Sequence, residues 1–169
     1  MGTISSLLNG SVDIGLVSDY IDKCRYSMLS FFKMMEEEIV LIVPENHPLA
    51  SYSELPLEKI SREKFISFDQ SSGILYLIEH IFKKAGYHFN IGMMATDDYT
   101  IASLVRDGMG IAFIPYGKSV SKEGLHVIHM VDPGFIRNIY MIYNKEGNYS
   151  VASRQFIDYI KNHFGEGAG

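Results

Sequence analysis

The sequence predicts an α/β fold, in which strands and helices alternate along the chain. Two observations lead to this prediction. Short, continuously apolar runs recur in the sequence, and such runs are typical of strands covered on both faces of a sheet. Between them lie segments whose apolar residues repeat with the helical period. Glycine or proline ends most of these segments, and the alternation favours a parallel sheet.

The N-terminal part is predicted to form a short helix followed by two strands. The helix covers 4–8 and stops at Gly10, and the first strand follows at 11–17. The second strand covers 37–43. It ends at Pro44, because proline cannot donate to the hydrogen-bond ladder of a sheet.

Two polar segments flank this second strand. The three glutamates at 36–38 are interpreted as a solvated charge run. Residues 45–60 contain two prolines and are predicted to form a loop, in which His47 is interpreted as structural. A third strand is predicted at 64–68.

The strongest helical pattern of the chain lies at 71–86. Lys83 and Lys84 suit the negative end of a helix dipole, and Gly86 can adopt the left-handed conformation that commonly ends a helix. The apolar residues fall on one face, which is predicted to be buried: Ile74, Leu77, Ile78, Ile81 and Phe82.

The segment TDDYTIASLVRDGMGIAFIP, at 96–115, begins with a second amphipathic helix. Asp97 or Asp98 can accept hydrogen bonds from the free N–H groups of its first turn. Its apolar face consists of three residues spaced i, i+3 and i+4, namely Ile101, Leu104 and Val105.

Two glycines connect this helix to a buried strand. Gly108 is predicted to end the helix, and Gly110 lets the chain turn tightly and pack close to a sheet. The strand covers 111–114 and is closed by Pro115. With a further strand at 87–96, these elements predict a strand–helix–strand unit of a parallel sheet.

The C-terminal part is predicted to contain two strands and a helix. The strands cover 125–130 and 137–143 and are joined by a turn at 131–135. The last helix starts near Ser150, and its predicted buried residues are Phe156, Ile157, Ile160 and Phe164.

Composition and charge exclude several classes of protein. The chain has 169 residues, a net charge of −5 and no basic stripe, so we expect no binding to nucleic acid by this chain alone. No apolar run approaches the ~20 residues of a membrane span, and no secretory signal is recognisable. The single cysteine, Cys24, excludes an internal disulfide and fits a reducing cytoplasm.

Motifs for catalysis, cofactors and metals are absent from the sequence. We find no nucleophile elbow, phosphate-binding loop or dinucleotide fingerprint. His126 and His129 lie three positions apart on a predicted strand and therefore point to opposite faces. The sequence thus predicts neither an enzyme nor a cofactor or metal site.

The best candidate for a binding site is the turn before the strongest helix. Ser71, Ser72 and Gly73 follow the end of a strand and open a helix, where N–H groups and hydroxyls can hold an anion. Taken alone, these residues favour a simpler role, in which Ser71 or Ser72 caps the helix. In the equivalent turn after the next strand, Thr96 and Tyr99 can contact a ligand, whereas capping is the favoured role of Asp97.

Five motifs, in this order and spacing, resemble the effector-sensing domain of LysR-type transcriptional regulators. The resemblance covers roughly 4–164, almost the whole chain. The motifs are LLNGSVDIGLV, EEEIVLIVPENHPLA, KFISFDQSSGILYLIEHIFKKAGY, ASLVRDGMGIAFIP and IYMIYNKEGNYSVASRQFIDYI.

The resemblance implies a bilobed, periplasmic-binding-protein-like (type 2) fold with two small Rossmann-like lobes. Lobe I would comprise 3–62 and 136–165, and lobe II would comprise 63–135. Compared with the family pattern, lobe I lacks its initial strand, helix and strand, which normally form one wall of the ligand cleft. The helix-turn-helix domain of the family is also absent from this sequence.

The resemblance further implies a sensor of a small effector, an organic anion, which binds in the cleft between the lobes. The turns at 71–73 and 96–99 would face this cleft, Ser18 and Asp19 would face it from lobe I, and Pro115 would line its floor. DNA would be bound only through the absent helix-turn-helix domain, and the protein would form a homo-oligomer. The alternative is a solute-binding protein of a transport system with the same fold.

Overall fold

The computed structural model describes residues 2–18, 23–117, 121 and 123–165. The helices are α1 (Thr3–Leu8), α2 (Gly73–Lys84), α3 (Asp98–Arg106) and α4 (Val151–Gly165). The strands are β1 (Ile14–Ser18), β2 (Leu29–Pro44), β3 (Glu54–Leu55), β4 (Phe65–Phe68), β5 (Ile91–Ala95), β6 (Ile111–Pro115), β7 (Leu125–Met130) and β8 (Ile136–Asn144). Short 3-10 helices cover Pro48–Ser51 and Leu57–Ile60.

The chain divides into two compact units. Unit 1 comprises Met1–Glu36 and Asn138–Gly169, and unit 2 comprises Glu37–Arg137. The chain passes from one unit to the other within β2 and again within β8. The predicted lobes divided the chain at 62/63 and 135/136 instead. The compact units assign 37–62 to unit 2, because the second part of β2 pairs with β6 and β7.

Unit 2 is built around a mixed sheet in which β4, β5 and β6 run parallel. β4 lies between the other two, with Phe68 opposite Ala95 of β5 and Ile66 opposite Ala112 of β6. β2 pairs antiparallel with both β6 and β7, and β7 also pairs with β3. The predicted parallel strand–helix–strand unit is therefore confirmed as β5, α3 and β6.

Phenylalanine rings fill the core of unit 2 beneath α2. Phe65 stacks on Phe113 at 5.6 Å between ring centroids, and Phe113 stacks on Phe135 at 5.0 Å. All five residues predicted for the apolar face of α2 are buried. Two of the three predicted for α3, Ile101 and Val105, are also buried. Burial of these faces is the main force that holds the helices on the sheet.

The turn between α3 and β6 has the two features expected of its glycines. Gly108 has a φ of 75°, in the left-handed region that ends many helices. Gly110 has a φ of 156°, and a Cβ added there would lie 3.0 Å from the backbone oxygen of Lys64. The close approach of this turn to β4 therefore depends on the missing side chain.

Unit 1 contains an antiparallel pair, β1 with β8, and helices α1 and α4. Met141 of β8 packs with Ile157 and Ile160 of α4 in a small core. The prediction that Phe156 is buried is wrong, because its side chain is 49% exposed. At roughly 100° per residue, Phe156 lies about 70° from the midpoint between Ile157 and Ile160, so it is at the margin of the face that packs on β8.

Candidate functional site

The carboxyl ends of the parallel strands β4, β5 and β6 lie at one edge of the unit 2 sheet. The turn after β4 opens α2, and the turn after β5 opens α3. These two turns lie side by side, because the Asp69 N–H donates to the Ala95 carbonyl at 3.0 Å. Ligands of open α/β sheets bind beyond such strand ends, where helix N-termini also point.

The first turn, Asp69–Ser72, has few unused polar groups. The Ser71 N–H and hydroxyl both donate to Asp69 Oδ1, at 2.9 and 2.5 Å. Ser72 Oγ accepts from the Ile74 N–H at 3.2 Å, which confirms the predicted helix cap. Gly73 is the first residue of α2, and its N–H has no carbonyl to pair with inside the helix.

Asp69 gives this turn a negative charge that the sequence analysis did not assign. Hydrogen bonds from the Ser71 hydroxyl and then from the Ser71 N–H lower the pKa of Asp69 below its ordinary range. The carboxylate therefore stays ionised at neutral pH. Asp-x-Ser turns are local patterns, so this arrangement could have been found from the sequence.

The second turn has the same design. Asp97 Oδ1 accepts from the Thr100 N–H at 2.9 Å, which confirms that Asp97 caps α3. Its other oxygen accepts from the hydroxyls of Thr100 and Thr96, at 2.9 and 3.2 Å. The backbone N–H of Thr100, followed by its hydroxyl, lowers the pKa of Asp97. Tyr99, on the first turn of α3, is 61% exposed.

Pro115 ends β6 at the same edge and lies opposite Ile39 of β2. Its neighbour Tyr116 donates its N–H to the Glu38 carbonyl at 2.8 Å. Pro115 is half-buried and borders a small apolar depression with Val40 and Ile114. The start of the unit 2 part of β2 therefore belongs to the same edge as the two helix-opening turns.

Two ion pairs lie where β2 and β8 leave unit 2. Arg137 Nε donates to Glu37 Oε2 at 2.5 Å, and His129 Nδ1 lies 2.6 Å from Glu38 Oε1. The interpretation of 36–38 as a solvated charge run is wrong for Glu37 and Glu38, which lie within β2 and are half-buried. The sequence offered no signal for either pair, because their partners lie far along the chain.

Ser18 is the predicted site residue of unit 1 that lies within the described residues. It is the last residue of β1, is half-buried and lies opposite Ile139 of β8. Asp19, which was predicted to accompany it, lies outside the described residues. The other predicted residues, Ser71, Ser72, Gly73, Thr96, Asp97, Tyr99 and Pro115, all lie on unit 2 at the edge described above.

Histidines that could suggest a metal site have structural partners. His126 Nε2 lies 2.8 Å from the Tyr52 carbonyl, and His47 Nδ1 accepts from the Leu49 N–H at 3.2 Å. Across the ranges that the structure describes, no three His, Cys, Asp or Glu residues are grouped so that they could hold a metal ion. Within the same ranges, no helix has the length and apolarity needed to cross a membrane.

Residues 2–165 match the family model of the LysR substrate binding domain. The chain belongs to this family. The fold of a LysR substrate-binding domain accounts for the strand–helix–strand unit in unit 2 and for the double passage of the chain between the units.

Relatives of this LysR substrate-binding domain are regulatory proteins. An uncharacterized HTH-type transcriptional regulator of Bacillus subtilis (strain 168), YybE, is 26% identical over 163 residues, covering 96% of this chain and 55% of the relative. A probable RuBisCO transcriptional regulator of Cyanophora paradoxa is 27% identical, covering 94% of this chain and 51% of the relative. The chain thus spans about half the length of these curated relatives.

Solved structures of effector-binding domains confirm the periplasmic-binding-protein-like (type 2) fold. The effector binding domain of QuiR, in complex with shikimate, superimposes with a TM-score of 0.87 at 28% identity, covering 96% of this chain and 77% of that one. The regulatory domain of CcmR from Synechocystis PCC6803, in complex with 2-PG, gives a TM-score of 0.81 at 19% identity, covering 95% and 77%. The second likeness concerns the fold alone.

Proposed function

We propose that this LysR substrate-binding domain senses a small organic anion that binds at the carboxyl edge of the unit 2 sheet. The observation that carries the proposal is the pair of adjacent helix-opening turns, joined by the hydrogen bond between Asp69 and Ala95. Helix N-termini offer free N–H groups to polar ligand groups, and the side chains of these turns add hydroxyls and carboxylates. The shikimate bound by QuiR, a relative at 28% identity, supports a hydroxylated acid as the class of ligand.

The proposed contacts divide by chemistry. The Gly73 N–H and the Ser72 hydroxyl are donors at the start of α2, and Asp97 is an acceptor for ligand hydroxyls. Tyr99 and Pro115 would contact the apolar part of the ligand. The remaining proposed contacts are Ser71, Thr96 and, from unit 1, Ser18.

We further propose that the sensing domain acts within a cytoplasmic, homo-oligomeric transcriptional regulator and catalyses no reaction. The relatives named above are regulators, which supports this role over a transport protein or an enzyme. DNA would be bound by a part of the regulator outside this sequence, because the chain is acidic, with a net charge of −5. No cofactor is part of the proposal.

The test is to replace Ser72 by Glu and to measure ligand binding by thermal shift. A tethered carboxylate at position 72 would repel an acid and occupy the space before α2. Loss of the Ser72 cap costs about 0.5–2 kcal/mol, which a folded domain tolerates. Shikimate, benzoate and inorganic phosphate are the probes, and we expect at least one to raise the midpoint of the wild type and none to raise that of S72E.

The matched control is Ser150→Glu. Ser150 accepts from the Ser153 N–H at 3.1 Å at the start of α4 in unit 1, so the same chemical change is made at another helix N-terminus. S150E should respond to the probes as the wild type does. Equal stabilisation of S72E and wild type by the same acid would place the ligand elsewhere and contradict the proposal.

A further inference from the structure

We propose that Arg137 is the residue that binds the acid group of the effector, an inference that rests on the proposed function. The Arg137 side chain is 21% exposed, and its Nε donates to Glu37 Oε2. In the part of the chain that the structure describes, Glu37 is the only polar partner of this guanidinium. Within those described residues the terminal Nη nitrogens of Arg137 have no acceptor, so their N–H donors can serve a ligand.

The pairing with Glu37 orients the guanidinium of Arg137 and uses only its Nε donor. A guanidinium is planar and carries its donors in a fixed fork, so a bond at Nε fixes the direction of both Nη nitrogens. A fork of this kind binds a carboxylate or phosphate through two parallel hydrogen bonds. Glu37 therefore acts as a positioning residue, and Arg137 has the geometry of an anion receptor.

The position of Arg137 relative to the helix-opening turns suits a small ligand. Its partner Glu37 directly precedes Glu38, which binds the Tyr116 N–H beyond the end of β6. β6 separates β2 from β4, so Glu37 and the turn after β4 are two strand spacings apart, roughly 10 Å. A ligand of a few bonds in length could contact both groups along this edge.

Charges along the edge assign the acid group to the Arg137 end. The two turns carry the carboxylates of Asp69 and Asp97, which accept hydrogen bonds from neighbouring N–H and hydroxyl groups, and these bonds lower the pKa of both. These carboxylates repel an acid but accept hydrogen bonds from hydroxyl groups. The edge therefore has a cation at one end and acceptors at the other, which selects a ligand with an acid at one end and hydroxyls at the other.

The experiment measures binding of shikimate, benzoate and inorganic phosphate to wild type, R137Q and R137K by calorimetry. The guanidinium resonances of ¹⁵N-arginine-labelled protein report on Arg137 directly. We expect R137Q to weaken acid binding by about 10- to 100-fold, because a charge-assisted bidentate contact is lost. R137K should recover part of the affinity, because it keeps the charge without the fork. Methyl shikimate, which lacks the charge, should bind wild type and R137Q equally.

Two controls separate binding from stability. Arg62→Gln removes an exposed arginine of unit 2 that precedes β4, at the opposite end of that strand, and should bind as the wild type does. The double variant E37Q/R137Q removes the unpaired Glu37 charge, so it should be folded even if R137Q is not, and should still bind weakly.

Each remaining result decides the question. The role of Arg137 is overturned if its guanidinium resonances respond to none of the three acids. It is also overturned if wild type, R137Q and E37Q/R137Q bind the acids with equal affinity. If S72E abolishes binding while R137Q does not, the proposed site stands and only this inference fails. If neither variant affects the binding of an acid, the proposed site fails with it.

Discussion

Replacing Gly110 by alanine should destabilise the domain more than any other single added methyl group in this turn. A Cβ at position 110 would lie 3.0 Å from the Lys64 carbonyl oxygen and 3.3 Å from Ile66 Cγ1. The Lys64 carbonyl is part of the backbone and accepts the Ile111 N–H. It cannot retreat without loosening the pairing of β4 with β6, so the strain stays at the turn.

The magnitude follows from comparison with Gly108, two residues earlier. Gly108 has a φ of 75°, but a Cβ there meets no atom within 4 Å. Alanine at 108 should therefore cost only the left-handed backbone conformation, about 1–2 kcal/mol. Alanine at 110 combines backbone strain of about 1–3 kcal/mol with overpacking of similar size, so we expect a loss of about 2–6 kcal/mol.

Urea unfolding of wild type, G108A and G110A measures both effects. The slope of the transition should be compared among the three proteins, because only an unchanged slope allows the midpoints to be read as stability. G110A should unfold at a clearly lower urea concentration than G108A. Equal losses in the two variants would show that the turn does not approach β4 closely and would refute the steric argument.

Two further predictions concern acid stability and the core. Asp97 has a lowered pKa in the folded state, so its stabilising effect is present above its ordinary pKa of 3.8 and is lost as the pH falls through the folded value. The wild type should therefore be more stable than D97N at neutral pH, and their acid-unfolding curves, followed by circular dichroism, should converge below the folded pKa. Equal stability of the two proteins at neutral pH would contradict a stabilising role for the Asp97 charge. Phe113 is 3% exposed, so F113A should lower the free energy of unfolding in urea by about 3–5 kcal/mol. F156A truncates an exposed ring and should lower it by no more than about 0.5 kcal/mol. Similar losses in the two variants would contradict the described core.

Local patterns were sufficient where neighbouring residues determine the structure. The apolar face of α2, its cap and the cap of α3 at Asp97 depend on contacts within a few residues, and all were predicted, with the cap of α2 left open between Ser71 and Ser72. The tight turn at Gly110 was predicted for the same reason. The likeness to a family then supplied the fold, which local patterns alone limited only to an α/β class.

Contacts between distant residues could not be predicted. Glu37 and Arg137 are 100 positions apart, and Glu38 and His129 are 91 positions apart, so no local sequence pattern predicts either ion pair. The strand β2 begins at Leu29 rather than 37 because pairing partners, and not its own apolar content, determine its length. The exposure of Phe156 likewise depends on which face of α4 meets β8.

The passage of the chain through unit 2 has a consequence for synthesis on the ribosome. Unit 2 is complete once Arg137 has been made, because all its strands lie between that residue and Glu37. Unit 1 cannot form at that point, because β1 pairs with β8, where Ile14 lies opposite Tyr143. The two small cores of unit 1 also contain Met141, Ile142 and residues of α4, which are made later. Domains fold as units while the chain emerges from its N-terminus. The residues of α1 and β1 are therefore made before unit 2 but gain their partners after it, and their apolar side chains stay uncovered while unit 2 is already able to fold.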